Sequence, residues 1–142
     1  YHLGYGRRRD EKRSIGIELA SEGALLKRGR ELYCFDRVSE RTRYRGRVYD
    51  VGRTWRGYRY FAVYPAAQLR AVIKLVDDLL LRFAIPPVVP RNARTGRAAR
   101  FDVKHRLRQG IIAHAHVRAD KTDVHPGFPW DLLVSELKLQ RI

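Results

Sequence analysis

Apolar positions follow two rhythms along this chain. From Pro65 to Phe83 they recur every three or four residues, at Leu69, Val72, Ile73, Val76, Leu79, Leu80 and Phe83. That spacing lines one face of a helix. Pro65 suits its first turn, and Pro86, Pro87 and Pro90 prevent it from continuing. A shorter closing helix is predicted over 129–140, with Leu132, Leu133 and Leu137 inward. Elsewhere the rhythm is two. In Ser14–Ala20, Ile15, Ile17 and Leu19 point to one face of a predicted strand, and Gly16, Glu18 and Ala20 to the other. Leu32–Phe35, Arg47–Val51 and Tyr58–Val63 read as further short strands, punctuated by Gly46, Gly52 and Gly57. A last apolar run, Gly110-Ile111-Ile112-Ala113, reads as a buried strand that ends on His114.

Strands and helices along 142 residues predict one α/β domain, a mixed central sheet flanked by helices. There are no internal repeats, and no apolar run approaches the length of a membrane span. Methionine is absent even from position 1, so the sequence is expected to begin inside a longer product or after a removed start. Cys34 is the one cysteine, which excludes an intrachain disulfide; Leu32, Tyr33 and Phe35 around it predict a buried thiol.

Charge changes the picture. The net charge is +15, carried mostly by arginine, and calls for a polyanionic partner (nucleic acid, an anionic membrane surface or an anionic cell-wall polymer) or for an Arg-rich solvated face. Arg and Tyr interleave through residues 21–64, and Arg91–Gln109 is a basic loop. Such surfaces hold nucleic acids by stacking and phosphate contact, and aromatic rings beside planar polar groups hold sugars. A β-hairpin with one packed face and one arginine face in water accounts for the same pattern.

The residues with candidate chemistry gather in two places. His114 ends an apolar run, and a loop then brings Lys121 and Asp123. Imidazole and carboxylate on neighbouring loops form part of a zinc-ligand set, since a catalytic zinc takes three protein ligands and water. Glu18 is the other. A carboxylate amid small residues on a strand face is either an edge position in solvent, half of a buried ion pair, or a catalytic group.

Gly110, His114, Lys121-Thr122-Asp123, Pro126-Gly127, Phe128 and Trp130 together resemble the C-terminal signature of the zinc-dependent N-acetylmuramoyl-L-alanine amidases of the amidase-2 type, relatives of the peptidoglycan recognition proteins. Arg13-Ser14-Ile15-Gly16-Ile17-Glu18-Leu19 resembles that family's S-I-G-I-E strand, and Tyr1-His2-Leu3-Gly4 the segment before it. The resemblance covers most of residues 1–20 and 65–140, leaving 21–64 as a β-rich insertion. It implies a catalytic domain lacking its N-terminal strand, with zinc on His114 and Asp123. The third ligand would be a histidine outside residues 1–142, supplied by a missing segment or a partner chain. Glu18 would be the catalytic base, Lys121 the oxyanion stabiliser, and His2, Thr122 and Trp130 the substrate contacts. The substrate would be peptidoglycan, cut between N-acetylmuramic acid and L-alanine by a secreted, periplasmic or phage-borne lysin.

Two departures bear on the ligand set. Val124-His125 separates Asp123 from Pro126, and His116 follows His114 at a spacing that would share a strand face, so either histidine is a candidate ligand. The competing readings are a non-catalytic peptidoglycan-binding or virion relative, and an Arg-rich nucleic-acid-binding protein.

Overall fold

A computed structural model describes residues 13–35, 42–91, 109–118 and 120–142. The chain forms β1 (Ala24–Arg28), β2 (Glu31–Cys34), β3 (Val48–Trp55), β4 (Tyr58–Ala62), α1 (Ala66–Arg82), β5 (Val88–Val89), α2 (His114–Val117), α3 (Trp130–Glu136) and β6 (Gln140–Arg141). Strands β1 to β4 make an antiparallel sheet in the order β2-β1-β4-β3, and β5 and β6 make a short parallel pair. The coarse α/β expectation therefore holds. The substantial sheet, however, lies inside the segment read as an insertion. Three of its strands match predicted runs; β1 was not anticipated.

The sheet curls because its two edges are close in sequence. Cys34 N–H donates to Thr42 O (2.8 Å) and Tyr44 N–H to Leu32 O (2.8 Å), so residues 42–44 lie along the outer edge of β2. Four residues later the chain begins β3, on the opposite edge. Four extended residues reach about 14 Å, whereas four inter-strand gaps in a flat sheet span about 19 Å. Curling resolves the mismatch. Strand β3 is also bulged. Its register against β4 shifts between Asp50 and Trp55, Gly52 sits at φ +81°, and Gly52 N–H donates to Asp50 Oδ1 at 2.8 Å.

One sheet face carries Ala24 opposite Phe61, and these pack with Trp55 and with Ala115 from α2. The larger core joins Val72, Val76 and Leu80 of α1 to Val89, Ala113, Phe128, Leu133 and Val134. Each such α1 side chain contributes about 1.5–3 kcal/mol on burial. The predicted stripe is correct through Leu80, but Phe83 lies past the helix end and is exposed, because Ala84 at φ +48° turns the chain away. The closing helix is shorter than predicted. It buries Val134 rather than Leu132, and Lys138 at φ +51° then turns the chain into β6. Among the described residues no helix is long and apolar enough to cross a membrane.

Two expected strands do not form. Ser14–Ala20 forms no strand, and Ile15 (48% exposed), Ile17 (39%) and Glu18 face solvent. Both neighbours of β1 are taken by β2 and β4, and residues 42–44 cover the edge of β2. Alternation gives only a capacity for pairing, and this segment pairs with no strand among the described residues. Only Leu19 reaches the core, and Gln68 Nε2 holds Ala20 O at 2.9 Å. The Gly110–Ala113 run likewise forms no strand: Gly110 lies in a bend, and Ile111 N–H ties the run to β5 through Val88 O (2.9 Å).

His125 joins the two cores. Its ring stacks on Phe61 from the sheet (5.0 Å, 18°) and on Tyr64 from the helical core (4.5 Å, 8°). Its Nδ1 accepts from Gly127 N–H at 3.1 Å, and its Nε2 is buried without a hydrogen-bond partner among the described residues. Burial pushes its pKa down to about 4, only partly offset by the Ala62 backbone, and pushes the Tyr64 hydroxyl up to about 12. The unfolded chain binds a proton on this imidazole below about 6.5, the folded chain only below about 4. Stability is thus full above pH 6.5 and falls as pH drops to about 4, by about 3 kcal/mol in total. His125→Phe keeps the stack and removes the titration. Its thermal midpoint should fall less between pH 7 and pH 4.5 than that of the wild type; parallel curves would assign the acid sensitivity to other groups.

Candidate functional site

The candidate site is built on the ends of one loop. Gly110 opens the approach. It sits at φ +91° against β5, and a Cβ there would meet Val88 O at 2.5 Å and Val88 Cγ2 at 2.4 Å. The first glycine of the motif is therefore required by backbone conformation and by contact. Ala113 is buried and extended, and the chain then takes the single helical turn of α2. His116, at the third position of that turn, accepts from Ala113 N–H at Nδ1 (3.1 Å), the return half of a capping box.

That turn separates the two histidines. A strand would put His114 and His116 on one side. A helical turn puts them about 200° apart. His114 stays half-buried at the loop end, while His116 is buried with its ring 5.0 Å from Trp130. His125 is also buried, between two rings. Neither alternative histidine joins His114.

Asp123 does. The loop returns so that Asp123 Oδ2 contacts His114 Nδ1, and Ala115 N–H donates to Asp123 O at 2.9 Å. The His114 side chain is 28% exposed and that of Asp123 59%. Residues nine apart in sequence thus close the loop through side chain and backbone together. Arg118 braces it with two bonds to Asp120, 3.0 and 2.5 Å, and this pairing holds the Asp120 carboxyl below its usual range.

Residue 56 was not anticipated as part of the site. Arg56, at the β3–β4 turn, donates from Nη1 to Arg118 O (2.7 Å) and Lys121 O, and from Nη2 to Ala115 O (3.1 Å). Its guanidinium lies over the Trp55 ring at 4.7 Å. The available signal was Trp55-Arg56-Gly57 between two strands, with arginine where such a turn favours asparagine or aspartate.

The other proposed site residues are dispersed. Lys121 is half-buried and makes no ion pair among the described residues, and Thr122 beside it is half-buried. Glu18 is exposed, and no hydrogen bond or ion pair links it to His114 or Asp123. Trp130 is 2% exposed and packs on Phe128 (4.9 Å), so its ring belongs to the core. His2 lies outside the described residues, as does most of the Arg91–Gln109 loop.

Chemically, a carboxylate on Nδ1 orients an imidazole for proton transfer. Imidazole and carboxylate are also side chains that bind cations. Among the described residues, no group of three or more His, Cys, Asp and Glu side chains is placed to hold a metal. His114 and Asp123, the pair that the resemblance names as zinc ligands, are in side-chain contact.

Gly110→Ala should combine left-handed strain with a clash, costing roughly 2 kcal/mol or more. Gly57→Ala, at φ +87° with nothing within 4 Å of the new Cβ, carries the strain alone. Denaturant midpoints should therefore fall further for Gly110→Ala; an equal loss would leave the Val88 contact without weight.

Compared with known proteins, the chain matches no family model, no curated protein and no solved structure.

Proposed function

We propose that the chain is the catalytic part of a zinc-dependent peptidoglycan amidase, built on an amidase-2-like arrangement and acting on the cell wall from a secreted, periplasmic or phage-borne position. One observation carries the reading: His114 Nδ1 and Asp123 Oδ2 face each other across the loop ends, as the resemblance requires of two ligands of one ion. The third ligand comes from outside the described residues. A zinc ion held there would supply a bound water of pKa about 7 and a Lewis acid for the amide carbonyl. Lys121 brings positive charge to the oxyanion that forms as the carbonyl is attacked. Glu18 takes the proton of the attacking water and delivers it to the leaving amine, which requires the 14–23 segment to bring it over the loop.

Metal analysis of the full-length protein should find about one zinc per chain, absent from His114→Ala. Glu18→Gln should keep the metal and lose most muropeptide turnover. Zinc retained at full occupancy in His114→Ala would sink the ligand assignment; turnover at the wild-type rate in Glu18→Gln would return Glu18 to solvent.

The sheet supports an anionic wall surface as the partner that holds the enzyme in place. Lys27 (5.6 Å) and Arg59 (5.3 Å) stand over the Tyr60 ring and Arg28 over Tyr33 (5.6 Å). Arg30, Arg45, Arg47 and Arg53 are exposed, with no ion pair among the described residues. Exposed cations beside aromatic rings suit an anionic polymer, and a nucleic acid binds the same kind of surface, so salt and retention measurements separate the two. Raising salt should release the protein from intact walls while turnover of a small soluble muropeptide stays nearly constant. Neutralising Arg30, Arg45, Arg47 and Arg53 together should reproduce the high-salt behaviour. If that variant still binds walls like its parent, the charge serves another partner; retention on DNA without wall lysis would favour the nucleic-acid reading.

A further inference from the structure

The β3–β4 turn is made by Arg56 at φ +48° and Gly57 at φ +87°. Two successive left-handed residues form the tight hairpin turn whose twist suits antiparallel strands. Glycine adopts that conformation freely; a long β-unbranched side chain at the first position does so against its preference. Asparagine or aspartate would serve the turn better, so the turn itself does not explain arginine at position 56.

The loop it reaches does. Between His114 and Asp123 the described residues make one helical turn and otherwise no ladder. The carbonyls of Ala115, Arg118 and Lys121 converge on one guanidinium, which donates to all three. A planar fork with several N–H groups can satisfy three acceptors at once; an ammonium on a flexible stem satisfies them less rigidly. The Trp55 ring beneath the guanidinium, 5% exposed, fixes its plane. These three carbonyls space the loop. The first follows His114 directly, and the last precedes Asp123 by two residues and belongs to Lys121 itself.

We propose that Arg56 is a positioning residue: it holds the 114–123 loop in the shape that brings His114 to Asp123 and sets where Lys121 stands. The 48–62 hairpin is then a working part of the candidate site. Arg59 serves as the contrast on the same hairpin. Its guanidinium pairs with Asp50 at 2.8 and 2.9 Å in solvent, and among the described residues it makes no hydrogen bond or ion pair with the loop.

The inference stands on loop geometry and not on zinc or on amide hydrolysis, so it is tested without either. Imidazole nitrogen shifts report the His114 tautomer and its bond to Asp123, and amide exchange at Ala115 reports the backbone bond to Asp123. In wild type and in Arg59→Ala, His114 should show one hydrogen-bonded tautomer and a protected Ala115 amide. In Arg56→Ala and Arg56→Lys the single tautomer should be lost, and Ala115 exchange should speed up roughly tenfold or more while the sheet amides stay protected. Added guanidinium ion at sub-denaturing concentration should partly restore the signal in Arg56→Ala and leave Arg56→Lys unchanged. Unaltered His114 and Ala115 signals in both variants would overturn the proposal. So would loss of the sheet's own protection in both, which would make Arg56 a general core residue.

Discussion

Among its described residues the stretch from His114 to Phe128 has one helical turn and almost no backbone ladder, yet every candidate chemical group but Glu18 and His2 falls in it or directly after it. Backbone carbonyls in such a stretch need donors from elsewhere. Here the sheet provides them. One arginine satisfies three carbonyls on one side of the loop, and on the other an imidazole is clasped between a sheet phenylalanine and a tyrosine at the start of the helical core. Without the sheet the loop would have neither donors nor a surface to lie on. The segment that reads as an addition to the domain is therefore the support of its most chemically suggestive part.

What was legible in the sequence follows from what local pattern can express. The α1 helix was legible because its burial repeats within the helix itself: Val72, Val76 and Leu80 fall where the period puts them. Strands β2, β3 and β4 were legible from aromatic and β-branched runs between glycines. That His114 and Asp123 act together was an expectation of the family resemblance rather than of spacing; the structure puts their side chains in contact, and the run before His114 forms no strand. Ser14–Ala20 was misread because alternation states a capacity for pairing and cannot state whether an edge is available. The pairing of His116 with His114 failed for a related reason: their common face depended on a period of two, and the local backbone is a helical turn. Arg56 was out of reach, since its partners lie about sixty residues away and only the oddity of arginine in a tight turn hinted at them.

The buried histidine and the arginine latch represent two ways of tying a loop to a sheet. Ring stacking between flat surfaces depends little on salt and leaves one imidazole nitrogen without a partner among the described residues. The guanidinium latch is directional, satisfies the carbonyls it touches, and fixes position more sharply than a stack does. Used together at opposite ends of one loop, they combine a site of attachment with a setting of shape.

The bulge in β3 has a consequence for life at high concentration. An outer strand of eight residues bearing valines and aromatics is a template on which another chain can lay its own strand. In β3 the ladder is interrupted between Asp50 and Trp55, and Gly52 has already spent its N–H on the Asp50 carboxylate. Arg53 and Thr54, exposed along the same stretch, add a charge and a hydroxyl to the rim. A neighbouring copy thus finds a broken, partly self-satisfied edge. The irregularity acts as a guard against intermolecular β-pairing, and smoothing it into a regular strand would trade monomer solubility for a sticky rim.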